Sequence, residues 1–171
     1  MFIIKSYIKY PQIEVYDLND VEKRPFHYFI DINNAQEILR IKNNLDLDYM
    51  YGVLHLTYKN QVIIDFTYYD LIDHLWAYFL NMIEEFLETQ KSEMYFPDQP
   101  LPVSMKYISD QYMLFSIKFI QYKLPRYEFL KALTIGAQDF FEKMISLLGE
   151  PYQLELKKAK LLEQKINTLK Q

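Results

Sequence analysis

Leu54-His55-Leu56-Thr57-Tyr58-Lys59-Asn60-Gln61-Val62-Ile63-Ile64-Asp65-Phe66 is the stretch that decides how this chain folds. Leu54, Leu56 and Tyr58 alternate with other residues, as do Val62, Ile64 and Phe66, which is the period-2 pattern of strands with one buried face. Lys59-Asn60-Gln61 separates them. Loop length then determines which faces meet. A two-residue loop would set the two apolar sets on opposite faces. A three-residue loop pairs 58 with 62, 56 with 64 and 54 with 66, and puts all six together. The three-residue loop is predicted, and it places His55 across from Asp65 on the outer face.

Outward toward the C-terminus the same logic repeats. Leu101, Val103, Met105 and Tyr107 match Met113, Phe115, Ile117 and Phe119 if Ser109-Asp110-Gln111 is the loop. Two long helices separate and follow the hairpins. From Asp70, the positions Ile72, Leu75, Trp76, Phe79, Ile83, Phe86 and Leu87 keep i, i+3, i+4 spacing, with Asp70 suited to the cap and Asp73 to the first turn; this helix runs to about Gln90. The next begins at Pro125, a residue favoured at the first helical position. It buries Phe129, Leu130, Leu133, Ala137, Phe140, Phe141, Met144 and Leu148 before Gly149 stops it. A last helix, roughly 151–169, carries a narrow apolar face among lysines, and packs either along the body or against another chain.

Outward toward the N-terminus the reading is coarser. Phe2, Ile4, Ile8 and Tyr10 share one parity, an opening strand ended by Pro11, and Phe26 to Ile32 is an aromatic-rich extended run before Asn33-Asn34. Glu37 to Ile41 reads as a short strand, or, with Ala35 included, as one or two helical turns after Asn34.

Hairpin, helix, hairpin, helix with short hairpin loops is an antiparallel pattern, because parallel neighbours need long crossovers. The expected class is α+β: an antiparallel sheet built from hairpins, two long helices packed on one face, and a C-terminal helix. The expected organisation is one domain over 1–149 with a helical extension over 150–171.

Composition narrows the chemistry. Half of the 171 residues are hydrophobic and 17% are aromatic, enough buried area to fold one core. The three glycines, at 52, 136 and 149, stand too far apart for a phosphate loop or dinucleotide fingerprint. With no cysteine there is no disulfide, thiolate metal site or cysteine nucleophile. The first residues do not read as a signal peptide and no apolar run approaches a membrane helix, so a cytoplasmic location is expected. Residues 151–171 hold five lysines against two glutamates, +3, which leaves −7 on the first 150 residues of a chain whose net charge is −4. An acidic body repels phosphates and anionic lipid and steers basic partners, besides keeping the chain soluble. No nucleic-acid or membrane partner is expected.

The candidate chemical constellations are few. Asp65, Asp70, Asp73 and His74 form a carboxylate–imidazole cluster, but Asp70 and Asp73 already suit a helix start and Asp65 the polar side of its strand, so no metal is expected. His74 neighbours the apolar stripe at Trp76 and reads as a packed or boundary residue. Glu84-Glu85 and Asp46 with Asp48 do not face across a cleft as glycosidase carboxyls must. Neither Ser104 nor Ser116 lies in a nucleophile elbow. No enzymatic activity and no cofactor are expected. Tyrosine and phenylalanine interleaved with lysine, as in Phe115 to Lys123, resemble a base-stacking platform, yet core strands show the same pattern.

Lys91 to Pro102 is the most unusual stretch: Met94, Tyr95, Phe96 and three prolines in one connection. It reads either as rigid interface surface or as aromatics folded back on the core. Its string Phe96-Pro97-Asp98-Gln99-Pro100, preceded by the Asp70 to Trp76 helix start and followed by Leu124 to Leu130 and Phe140-Phe141, resembles a pattern in small bacterial proteins, some of them similar to immunity proteins encoded beside polymorphic or contact-dependent toxins. The resemblance covers about 50–148 and transfers no catalytic or binding residue. It implies a stable cytoplasmic fold that occludes the active site of a basic toxin domain. Asp70, Asp73, Glu93, Tyr95 and Asp98 are then the candidate partner-binding residues. The rival expectation is a self-associating module, a homodimer through 151–169.

Overall fold

In a computed structural model that describes residues 1–169, the chain opens with β1 (Phe2–Lys9), the strand expected before Pro11. Lys170, the last of the five tail lysines, lies outside the described residues. The extended run expected over Phe26 to Ile32 is split. After α1 (Leu18–Lys23), Pro25 opens α2 (Pro25–Tyr28), where its fixed φ and missing N–H suit a first helical turn, and only β2 (Phe29–Asp31) pairs with β1. Of the two readings of Ala35 to Ile41, the helical one holds. Asn34 accepts the Glu37 N–H and caps α3 (Ala35–Ile41).

The hairpin of β3 (Tyr51–Tyr58) and β4 (Gln61–Ile64) departs from expectation. Its loop is two residues, Lys59 and Asn60, both left-handed at φ 48° and 66°, the geometry whose twist suits a hairpin. Tyr58 therefore pairs with Gln61 and Thr57 with Val62, and a bulge then restores the expected Leu56–Ile64 pair. The bulge accounts for the departure: it lets Ile63 and Ile64 both bury while Val62 stays 47% exposed. The 54–66 pair does not form, because Asp65 accepts the Thr67 N–H and turns Phe66 into a short 3₁₀ helix. Asp65 is still close enough for its charge to oppose the lowering that burial imposes on the His55 imidazole.

β5 (Asp70–Leu71) pairs with β3 and leads into α4 (Ile72–Thr89). Asp70 is thus a strand residue opposite Gly52 and does not cap the helix. Gly52 is required there: a Cβ would stand 2.1 Å from the Tyr7 carbonyl oxygen. α4 ends at Gln90, and β6 (Lys91–Tyr95), β7 (Pro102–Tyr107), β8 (Tyr112–Ile117) and β9 (Ile120–Pro125) follow. The β7–β8 register is the expected one: Val103–Ile117, Met105–Phe115 and Tyr107–Met113. Leu101 and Phe119 do not pair, since Lys118, at φ 58°, turns the chain into β9 and leaves Phe119 91% exposed. α5 (Arg126–Leu148) starts one residue later than expected, with Pro125 at the cap, and stops at Gly149 in the left-handed region at φ 74°. α6 (Gln153–Thr168) completes the described chain.

The class is α+β. The strands divide between two antiparallel sheets, β2-β1-β3-β4 with β5 also on β3, and β6-β7-β8-β9. α4 and α5 pack against both sheets, and one core runs from Ile8 and Leu54 through Trp76, Phe79 and Phe140 to Met105 and Phe115. The helices are not all on one face: α1 and α2 help cover the other side of the first sheet, over Tyr7, Val21, Tyr28, Phe29 and Val53. α6 lies along α5 and sinks Ala159, Leu162 and Ile166 into the main core, which is the packing along the body that was one of its two expectations. Among the described residues, no helix is long and apolar enough to cross a membrane.

Candidate binding cleft

β6 runs back along α4. Eighteen helical residues span ~27 Å; the five residues of β6 cover ~16 Å of that return, and the bend at 97–99 completes it. The 96–101 connection is thereby delivered to the start of α4. Phe96 and Leu101 fold into the core there, with the Phe96 N–H bonded to the Leu101 carbonyl at 3.0 Å.

Asp70 receives this connection. Its carboxylate is fully buried and accepts three backbone N–H groups: Leu71 at 2.7 Å, Asp98 at 3.0 Å and Gln99 at 3.1 Å. Burial pushes the Asp70 carboxyl above its ordinary value, and the three N–H donors pull it back. Gln99 also donates from its side chain to the Tyr69 carbonyl. Held from beneath, Asp98 points its own side chain outward, where one oxygen accepts the Tyr51 hydroxyl at 2.6 Å. That bond, then burial, pushes the Tyr51 phenol up to about 12.

Asp98 and Gln99 form one wall of a cleft of about 620 Å³. The end of β1 and the chain that follows it, from Lys9 to Leu18, form the second, Leu45 to Tyr51 the third, and Thr67 with Tyr69 closes it. Four tyrosines (16, 49, 51, 69) and four carboxylates (Glu14, Asp17, Asp46, Asp98) line it with one lysine, Lys9. Asp17 and Asp46 each hold a nearby backbone N–H, of Asn19 and Asp48. Glu14 is exposed and has no hydrogen bond or ion pair among the described residues. Lys9 is drawn off to the Tyr10 carbonyl at 3.1 Å, its ammonium disfavoured by burial and favoured by Glu14. Tyr16 and Tyr49 are 91% and 63% exposed. The lining therefore combines net negative charge with aromatic faces, an arrangement that attracts organic cations.

The structure separates the five expected partner-binding residues. Asp70 and Asp73 are buried, so neither presents a carboxylate to a partner: Asp70 holds the 98–99 backbone, and Asp73 accepts the Tyr152 hydroxyl at 2.9 Å. Glu93 and Tyr95 are exposed on β6, opposite Ser104 and Pro102, outside the cleft. Asp98 alone of the five lines it. Sequence reasoning missed Glu14, Asp17, Asp46 and all four tyrosines. The available signal was the recurrence of tyrosine beside acid in separate segments: Glu14 to Asp17, Asp46 to Tyr51, and Tyr69-Asp70.

The histidines lie apart from the cleft. His27 sits on α2, His55 is wedged 4.9 Å from the Phe66 ring, and His74 is half-exposed rather than packed. Among the described residues no group of three histidines, aspartates or glutamates could hold a metal ion, so Asp65, Asp70, Asp73 and His74 do not converge. No family model, curated protein or solved structure matches the chain.

Proposed function

We propose that this chain is a non-enzymatic protein-binding domain, and that it acts as an immunity protein: its acid–tyrosine cleft captures a basic toxin domain and covers that toxin's active site. The observation that carries this reading is the cleft itself, four tyrosines and four carboxylates gathered beside an Asp98-Gln99 wall that Asp70 holds in place. Tyrosines supply large contact area at low cost in conformational entropy, and carboxylates steer a basic partner into register. A rigid floor lowers the ordering cost of association. Occlusion asks for about 800 Å² per partner, so the cleft is the centre of a larger patch rather than the whole interface.

The test is co-purification with the products of adjacent reading frames from the source organism, at low and moderate salt. A salt-sensitive one-to-one complex with a basic protein, loss of that protein's toxicity in the complex, and release by Glu14→Lys with Asp98→Lys are the expected results. Recovery of the chain alone overturns the reading. The self-associating alternative would use the apolar residues that α6 leaves exposed, Leu154 and Leu161, since Ala159, Leu162 and Ile166 are buried against the body. A concentration-dependent dimer that Leu154→Lys with Leu161→Lys abolishes would favour it.

A further inference from the structure

We infer that the cleft is a receptor for an arginine side chain, presented by an extended segment of the partner, with the guanidinium against the tyrosine rings and paired to Glu14. This rests on the protein-binding reading above and names what the cleft recognises.

Three observations converge. The first is a carboxylate to which no internal group donates. Glu14 is exposed at the cleft and has neither hydrogen bond nor ion pair among the described residues, whereas Asp17, Asp46 and Asp98 each hold an internal donor. The second is a fixed aromatic wall. Tyr51 and Tyr69 meet edge-to-face, centroids 6.2 Å apart at 68°, and the Tyr51 hydroxyl is tied to Asp98 while the Gln99 side chain holds the Tyr69 carbonyl. The third concerns the cleft's own cation. Lys9 lines the cleft and feels the Glu14 charge, yet it donates to the Tyr10 carbonyl and forms no ion pair with any cleft carboxylate among the described residues.

The chemistry of the lining selects among cations. A divalent metal needs converging oxygens, and the described residues offer no such group. An anion meets net negative charge. A lysine ammonium is a compact, strongly hydrated charge that gives up more hydration on entering than a guanidinium does. A guanidinium is planar, stacks on phenol faces, and donates two parallel N–H bonds to one carboxylate, the match that Glu14 and the tyrosines provide. The cleft volume of about 620 Å³ holds such a side chain with the backbone on either side of it. The exposed rings of Tyr16 and Tyr49 then border the segment that carries it.

The experiment is an amide NMR titration of the full chain with blocked Gly-Gly-X-Gly-Gly peptides in which X is arginine, lysine or citrulline. The arginine peptide is expected to give saturable shifts confined to the amides of the cleft, including Tyr49, Tyr51, Tyr69 and Asp98. It should bind at least about tenfold tighter than the neutral citrulline peptide and a few-fold tighter than the lysine one. Glu14→Gln, an exposed and conservative change, should remove most of that tenfold preference with an otherwise unchanged spectrum. Equal binding of arginine and citrulline, shifts outside the cleft, or tighter binding of free spermidine than of the arginine peptide overturns the inference. A partner complex that forms normally yet is indifferent to Glu14→Lys also overturns it, and leaves the protein-binding reading standing. Arginine binding in the cleft without any protein partner sinks the protein-binding reading alone.

Discussion

Asp70, beneath the cleft, has no exposed surface and gives both carboxylate oxygens to three backbone N–H groups. Glu14, on its rim, is exposed and holds no internal donor among the described residues. The two carry the same charge and do opposite things. A buried carboxylate persists only where hydrogen bonds replace its water, so Asp70 is an internal strut that ties residues 98 and 99 to the start of α4. An exposed carboxylate adds little to folding and remains available to a partner. In an acidic protein, then, charge marks a binding surface only where the fold has not already used it.

The largest effect expected is at the strut. Asp70→Ala leaves the buried Leu71 N–H and the partly buried N–H groups of Asp98 and Gln99 without their acceptor and should cost about 3 kcal/mol in urea unfolding. A loss under about 1 kcal/mol would remove the contrast between floor and rim. The same residue sets a pH dependence. Its folded carboxyl stands above its ordinary value near 3.8, so the folded chain takes up that proton before the unfolded chain does. Through Asp70, acidification from pH 7 to 4 adds stability, and raising the pH removes it. Asp20 and Glu37 act in the opposite sense: hydrogen bonds from Arg24 and Tyr28, and from Arg40 and Tyr10, hold their carboxyls down near 2, and their contribution is lost as the pH falls toward that value. The stability of the parent relative to Asp70→Asn should therefore grow from pH 7 to 4. Parallel curves would mean that Asp70 does not titrate as a buried acid.

Between floor and rim stands Tyr51, whose hydroxyl reaches Asp98. Tyr51→Phe should cost about 1 kcal/mol or less, because the bond lies near solvent, and should raise amide exchange at residues 98 and 99. The smallest effect belongs to the rim: Asp46→Asn should leave stability within about 0.5 kcal/mol and slow association with a basic partner at low salt. A stability loss as large as that of Asp70→Ala would erase the distinction.

How far each region was legible follows from how locally it is specified. The β7–β8 register was readable because its apolar residues alternate without interruption on both sides of a polar loop. The β3–β4 register was not, since the alternation of Val62, Ile64 and Phe66 conceals a bulge at Ile63, and a single extra residue exchanges the faces. β6 falls within a stretch read as a connection, and β9 was not read as a strand at all; neither carries a strong alternating pattern, and the turn at Lys118-Phe119 lacks the glycine that usually marks such a site. Asp70 was misread for a related reason. An acid just before an apolar helical stripe looks the same whether it caps its own helix or holds a loop 28 residues away.

Short-range periodicity and composition were enough for the α+β class, the extents of α4 and α5, the β7–β8 pairing, the lack of cysteine and of clustered glycines, and the acidic balance. Three features came from the three-dimensional packing alone: the division into two sheets, the docking of α6, and the convergence of Glu14, Asp46, Tyr51, Tyr69 and Asp98 on one cleft. The physical reason is that side-chain periodicity specifies which face of an element is buried. Which distant segments share a cleft depends on the path of β6 back along α4 and on a buried carboxylate that binds backbone N–H groups, which carry no side-chain signature at all.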